Sequence, residues 1–239
     1  PHGTGALHRK ALLTFADNHP NGAGFVAQLK KNWPSFIEDF VSGDLPFSSK
    51  LIDRTDPNSH GQKCSRACYT CLKSYQNRFV DSFLDWRLGY ELIRTLHDEN
   101  YNVGLLDIDT NDSPGLLGWK PRVEQSVHRL TSTFSDDFPE GLYQLKNSDI
   151  PAFRAVHQGH SRMVLVKHPL WADKSPVDGN LLDAAFVEAS SLETTHKPVI
   201  VESFNLEHRA CWTRDHILQS FDPEPAATST NPQPDANAL

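Results

Sequence analysis

Between residues 25 and 40 the apolar positions fall at Phe25, Leu29, Trp33, Phe36 and Phe40. That spacing of three or four predicts one apolar face on helical backbone. Pro34 interrupts the run; seated in a first turn, it predicts two helices rather than one. Residues 11–16 (A-L-L-T-F-A) form a short unbroken apolar run and read as a strand. The turn-dense stretch 17–24 follows, where Asn21 and Gly22 suit positive φ and Gly24 is expected to let the backbone pass close to a neighbour. A polar connection carrying Gly43, Pro46, Pro57 and Gly61 leads on towards residue 64. Phe83, Leu84, Leu88, Leu92 and Leu96 then predict an amphipathic helix ending near Glu99.

Residues 101–108 read as a strand, 110–121 as turns and 123–133 as a helix. In the last third the pattern alternates: strand 163–166, a polar loop, helix 181–190, strand 199–204 and short helix 213–219. Strand, helix, strand in this order predicts a mixed α/β fold, with a small and partly parallel sheet. From residue 222 the chain is Pro, Ala, Thr, Asn and Ser with almost no apolar bulk, a composition expected to stay disordered. The resulting division is 1–100, 101–221 and a tail at 222–239.

Composition narrows the class. A chain of 239 residues, 38% hydrophobic and 22% charged, is an ordinary globular protein of one large or two modest domains. No apolar run approaches membrane-spanning length. The chain starts at Pro1 and its only Met is Met163, so a processed chain or part of a larger protein is expected. Of four cysteines, Cys64, Cys68 and Cys71 lie within eight residues; this is not a disulfide framework, and it points to metal binding in a reducing cytoplasm.

The net charge of −7 argues against wholesale nucleic-acid binding. Yet residues 62–94 hold six cations (Lys63, Arg66, Lys73, Arg78, Arg87, Arg94) against Asp81, Asp85 and Glu91. Such an island is either a solvated face or a phosphate contact. Tyr69 and Tyr75 interleave with Lys63, Arg66, Lys73 and Arg78, and aromatics among cations suit a nucleic-acid strand.

The C-x(3)-C-x(2)-C spacing contains a C-x(2)-C turn that aims two sulfurs at one ion, and thiolates suit zinc. An iron–sulfur cluster would want a fourth nearby Cys. Three residues compete to complete a zinc site. His60 stands four positions before Cys64 and is favoured, giving Cys3His; Asp81 lies ten after Cys71; Cys211, between Ala210 and Trp212, reads as core packing.

Three motifs in order, D-N-H-P-N-G-A-G (17–24), C-S-R-A-C-Y-T-C-L-K-S-Y-Q-N (64–77) and L-D-W-R-L (84–88), resemble the MrfA-type zinc-binding domain. That domain sits at the C-terminal end of many superfamily II helicases, and the resemblance covers residues 12–96. H-P-L-W (168–171) and S-F-N-L (203–206) more loosely resemble the extension of large anti-phage helicases of the Druantia and DISARM systems. Asn21 replaces the first Gly of the family's turn, Gln62 stands where many members carry Cys, and Asp81 where others carry His; the last two keep the fourth ligand open. The resemblance implies a zinc-stabilised C-terminal module in bacterial antiviral defence, engaging DNA beside helicase lobes in the same polypeptide or a partner subunit. The alternative is a protein–protein docking module of a defence or DNA-repair complex without DNA contact.

No catalytic motif is found. There is no G-x-x-x-x-G-K-[ST] phosphate loop. Asp107, Asp109, Glu188 and Glu202 show no nuclease spacing, and H-Q-G-H (157–160) only superficially resembles an H-x-K motif. His168 reads as a hydrogen-bonded structural residue, and Trp33, Trp86, Trp119, Trp171 and Trp212 as core anchors.

Overall fold

The computed structural model describes residues 23–45, 58–98, 101, 103–104, 118–171, 181–192 and 196–221. The expected strand at 11–16, most of the turn at 17–24, the tail at 222–239, and Asp107 and Asp109 lie outside the described residues.

Pro34 does what its position predicts. Helix α1 (Phe25–Lys31) ends at Asn32, and α2 (Trp33–Ser42) starts with the proline in its first turn. Gly24 adopts φ +79, and a Cβ there would meet nothing within 4 Å. The glycine therefore serves backbone conformation, not the close approach expected of it. A single turn, α3 (His60–Lys63), and a 3₁₀ segment (Tyr75–Phe83) precede α4 (Trp86–His97). The predicted helix thus begins later than its apolar pattern. Phe83 closes the 3₁₀ segment, Leu84 is extended, and Asp85 caps α4 by accepting the Arg87 N–H. Helix α2 lies along α4, where Phe40 and Tyr90 meet at 6.0 Å and His97 pairs with Glu38 at 2.7 Å.

The second half is a mixed four-stranded sheet with helices on both faces. Helix α5 (Trp119–Thr133) starts four residues before the expected helix, taking Pro121 into its first turn. Then come β1 (Leu142–Tyr143), β2 (Ala152–His157), β3 (His160–Lys167), α6 (Leu181–Leu192), β4 (Val199–Glu202), α7 (Ser203–His208) and α8 (Ala210–Gln219). Strand order is β1-β2-β3-β4, antiparallel except for the parallel pair β3–β4, which α6 connects. The β2–β3 hairpin closes on Gln158 (φ 51) and Gly159 (φ 81), two positive φ values in a two-residue loop, the twist that tight hairpins prefer. The expected strand 199–204 is cut short because Ser203 and Phe204 already belong to α7.

Alternation fixes the two faces. Phe153, Ala155, Val164, Val166 and Val201 pack with Val123, Val127 and Leu130 of α5, Leu206 of α7 and Ile217 of α8. Ala152, Met163 and Leu165 pack on the other face with Ala185 and Ala189 of α6.

Tryptophans pin the connections. Trp119 Nε1 donates to Ser203 Oγ and Trp171 Nε1 to the Val103 carbonyl, both at 2.9 Å. Trp33 is half-buried against Phe36. Trp212 departs from the anchor role: it is 44% exposed and stacks on His216. Residues 103–104, expected within a strand, form a turn in which Gly104 takes φ +73. A Cβ there would stand 3.1 Å from His168 and 3.3 Å from Trp119. His168 is buried, and its Nδ1 accepts the Leu170 N–H. Burial first, and the Arg122 charge second, lower its pKa to about 3, so it is a neutral structural residue.

Candidate metal centre

One helical turn and one tight loop bring the thiols together. The Cys64 N–H donates to the His60 carbonyl at 2.8 Å, closing α3 and setting His60 beside Cys64. Further on, the Cys71 and Lys73 amides both return to the Cys68 carbonyl, at 3.1 and 3.0 Å. Amides also point at sulfur: Cys68 N–H to Cys71 Sγ at 3.2 Å and Thr70 N–H to Cys68 Sγ at 3.3 Å. Trp86 clamps the loop by donating its indole N–H to the Cys64 carbonyl at 2.9 Å and its amide to the Arg66 carbonyl at 3.0 Å. A capping box between Ser74 and Asn77 starts the 3₁₀ segment, and Asn77 Nδ2 ties it to the Leu72 carbonyl at 2.7 Å.

His60, Cys64, Cys68 and Cys71 each offer one ligand atom, and these four atoms lie within 4.8 Å of one another. Cys64 and Cys71 Sγ are 4.0 Å apart, and His60 Nε2 is 3.7 Å from Cys68 Sγ. A tetrahedral ion bonded to sulfur at about 2.3 Å and nitrogen at about 2.0 Å has edges of about 3.8 and 3.5 Å. The separations suit such an ion. The thiol electrostatics are compatible with one. Burial, with neighbouring Cys71 and Cys68 thiolates, pushes the Cys64 thiol up to about 12. Cys68 moves the opposite way: slight burial opposes it, but hydrogen bonds from Thr70 and Cys71 hold the thiol below its ordinary range. Three thiolates this close ionise together only around a cation. The four residues can hold a metal ion.

The two rival ligands stand apart from this set. Cys211 is exposed on α8, not packed in the core as expected. Asp81 lies 3.8 Å from Lys73 Nζ.

The five residues singled out for nucleic-acid contact divide. Lys63 Nζ donates to Asn58 Oδ1 at 2.7 Å. Lys73 pairs with Asp81. Arg78 lies over the Tyr75 ring at 4.4 Å and the Phe79 ring at 4.8 Å. Tyr75 and Phe79 are 78% and 81% exposed, so bulky aromatic surface flanks that arginine; Tyr69, in the cysteine loop, is 74% exposed. Arg66 points elsewhere: its Nη1 donates to His208 Nδ1 at 2.8 Å.

At that junction the loop meets α4, α5 and α7. Asp85 binds Arg87 through both carboxylate oxygens, while Glu207 accepts from Arg122 at 3.2 Å and lies 3.7 Å from Arg87. Sequence reading placed Arg87 in the basic island but assigned no site role to Arg122, Arg129 or His208. Arg122 and Arg129 share α5, seven residues apart, while His208 comes from α7, so no local spacing joins them to the cysteine loop. Phe79 was passed over as well, although an aromatic directly after Arg78 in the basic island was a local signal for it.

Glu188 and Glu202 do not form a carboxylate pair. The first accepts the Lys146 and Asn147 amides, and the second pairs with Lys167. Among the described residues no helix is long and apolar enough to cross a membrane.

No family model matches the chain, and no curated protein or solved structure matches it either.

Proposed function

We propose that the chain is a zinc-organised module that contacts nucleic acid, of the helicase-associated type whose three motifs it resembles. Zinc suits three thiolates and one imidazole in a tetrahedral arrangement, and it fixes a loop with little core of its own. In this reading the helicase lobes lie elsewhere in the same polypeptide or in a partner, the setting is bacterial antiviral defence, and the module guides DNA relative to that motor. The observation that carries the nucleic-acid part is the exposed Tyr75–Arg78–Phe79 stack beside the cysteine loop. Flat rings and a guanidinium offer stacking faces for bases and charge for phosphates.

Fluorescence anisotropy with a short single-stranded oligothymidine tests this reading. Arg78→Ala and Lys73→Ala should each weaken binding and flatten its dependence on salt. Unchanged binding in both variants removes the exposed stack from any DNA role, and no binding by the parent chain removes that role altogether.

One feature favours a second reading. Tyr69, Tyr75, Phe79 and Phe83 are all more than half exposed, a patch that also suits docking onto a protein. That alternative predicts a partner complex which survives high salt and fails on Phe79→Ser.

A further inference from the structure

Behind the cysteine loop lies a cavity of about 720 Å³, walled by Ser65, Arg66 and Ala67 of the loop, Arg87 of α4, Arg122 and Arg129 of α5, and Glu207 and His208 of α7. Four guanidinium groups therefore line it with one carboxylate, that of Glu207, and the Asp85 carboxylate stands beside Arg87. Arg87 and Arg122 are the ones engaged with them. Arg66 bonds only to His208 and Arg129 only to Ser126 Oγ, at 2.9 Å, so neither has a carboxylate partner among the described residues.

The donors point the same way. A guanidinium can only donate, so His208 Nδ1 accepts from Arg66 and the neutral ring carries its proton on Nε2. That buried Nε2 has no hydrogen-bond partner among the described residues. Burial, and then the Arg122-to-Arg87 repulsion, lower the Arg122 pKa despite Glu207. A charge so placed is eased by a further anion.

We infer that this cavity is a phosphate-binding pocket that takes a backbone phosphate of a nucleic-acid strand between Arg66 and Arg129. The choice of a strand rests on the nucleic-acid reading above; the anion chemistry does not. Arginine forks match phosphate oxygens in pairs, and the pocket presents two forks with spare donors plus an imidazole N–H. Asp85, Glu207 and His208 also lie close enough to one another to suggest a cation site. Both Asp85 oxygens are already taken by Arg87 and both Glu207 oxygens by Arg122. A metal ion there would sit among four positive charges, which disfavours it.

The pocket is also tied to the metal centre. Ser65, Arg66 and Ala67 run between the ligands Cys64 and Cys68, so whatever holds those thiols also holds that wall. By thermodynamic reciprocity, a bound strand should raise the metal affinity measured in competition with a chelator by the same factor as metal strengthens strand binding.

The test uses the full zinc-loaded chain, with oligothymidine anisotropy and a titration of inorganic phosphate followed by the Nε–H resonances of the arginines. Arg129→Ala, on an exposed helix position, should weaken the oligonucleotide about tenfold and lower the salt slope by about one. Arg66→Ala should do the same with its zinc content intact, and phosphate should shift the Arg66 and Arg129 resonances of the parent chain. Wild-type binding by Arg129→Ala, with loss in Arg78→Ala, overturns the pocket and leaves the nucleic-acid reading standing. No oligonucleotide binding by the parent chain, with the phosphate shifts intact, overturns the strand assignment and identifies a free phosphate compound as ligand. A second equivalent of zinc that Glu207→Gln removes would mean a cation site instead.

Discussion

The two halves of this molecule solve the same problem with different means. Around the sheet, buried side chains fill both faces: Phe153, Val164 and Val166 against α5, Met163 and Leu165 against α6. Around the cysteine loop, the buried hydrophobic cluster is Cys64 and Trp86, with Cys68, Cys71, Leu72 and Tyr90 only partly covered. Apolar burial at about 25 cal/mol per Å² can stabilise the first region unaided. It cannot do so for the second, whose backbone must be held by caps, by Trp86 and by whatever binds the four ligand atoms. A large core thus makes a frame, and a loop with little core of its own is laid against it through Arg66–His208, Arg87–Glu207 and the Phe83–Phe204 stack.

The strongest way to break the comparison is to remove the metal. Cys71→Ser should release zinc and abolish amide-exchange protection over residues 58–98, while protection in β2 and β3 persists; structural zinc in small modules is worth on the order of 10 kcal/mol. Loss of protection in both halves together would show that the frame does not stand alone. The reciprocal experiment cuts into the frame. Phe153, fully buried and edge-on to Phe138 at 5.6 Å, should cost about 3–5 kcal/mol when changed to Ala. Urea unfolding followed by tryptophan fluorescence measures that loss, with zinc content per folded chain unchanged.

A smaller effect separates the halves by pH. His168 has a folded pKa of about 3, against about 6.5 for an unfolded histidine. Its contribution is fully present above 6.5. As pH falls below that value the unfolded chain takes a proton that the folded chain refuses, so stability drops by up to about 1.4 kcal/mol per pH unit until the folded pKa is reached. Measured in the Cys71→Ser background, where zinc release cannot contribute, His168→Gln should flatten this slope between pH 6.5 and 4. Equal slopes in the two proteins would remove His168 from the account. Smallest is Gly104→Ala, whose Cβ would need a left-handed backbone and meet His168 at 3.1 Å. A loss of about 1–3 kcal/mol is expected, read as a lower urea midpoint.

How legible these halves were in the sequence differs as well. The Cys3His set was readable, because C-x(2)-C and a histidine four residues ahead are local patterns that one turn and one loop bring together. The paired helices around Pro34 and the partly parallel sheet were readable for the same reason, since period and proline act locally. Strand β2 went unread because A-F-R-A-V-H holds two short alanines and an arginine in place of a clean alternation. Its Gln158–Gly159 turn was hidden within what looked like a histidine motif. The arginine-lined pocket was not legible as a whole: Arg66 stood out in the basic island, but Arg122 and His208 join it only because α5 and α7 pack across the loop. Cys211 and Trp212 misled for a related reason. Their apolar chemistry suggested burial, but Thr213 and Ile217 hold the inward face of α8 and leave the other two in solvent.

The most direct test of the metal-organised reading is elemental analysis of the purified 239-residue chain, run beside its His60→Ala, Cys68→Ser and Cys211→Ser variants. The account predicts one zinc per chain, lost with Cys68→Ser, weakened with His60→Ala and fully retained with Cys211→Ser. A parent chain without stoichiometric metal, or a Cys211→Ser variant that loses it, would contradict the Cys3His centre on which the contrast between the two halves depends.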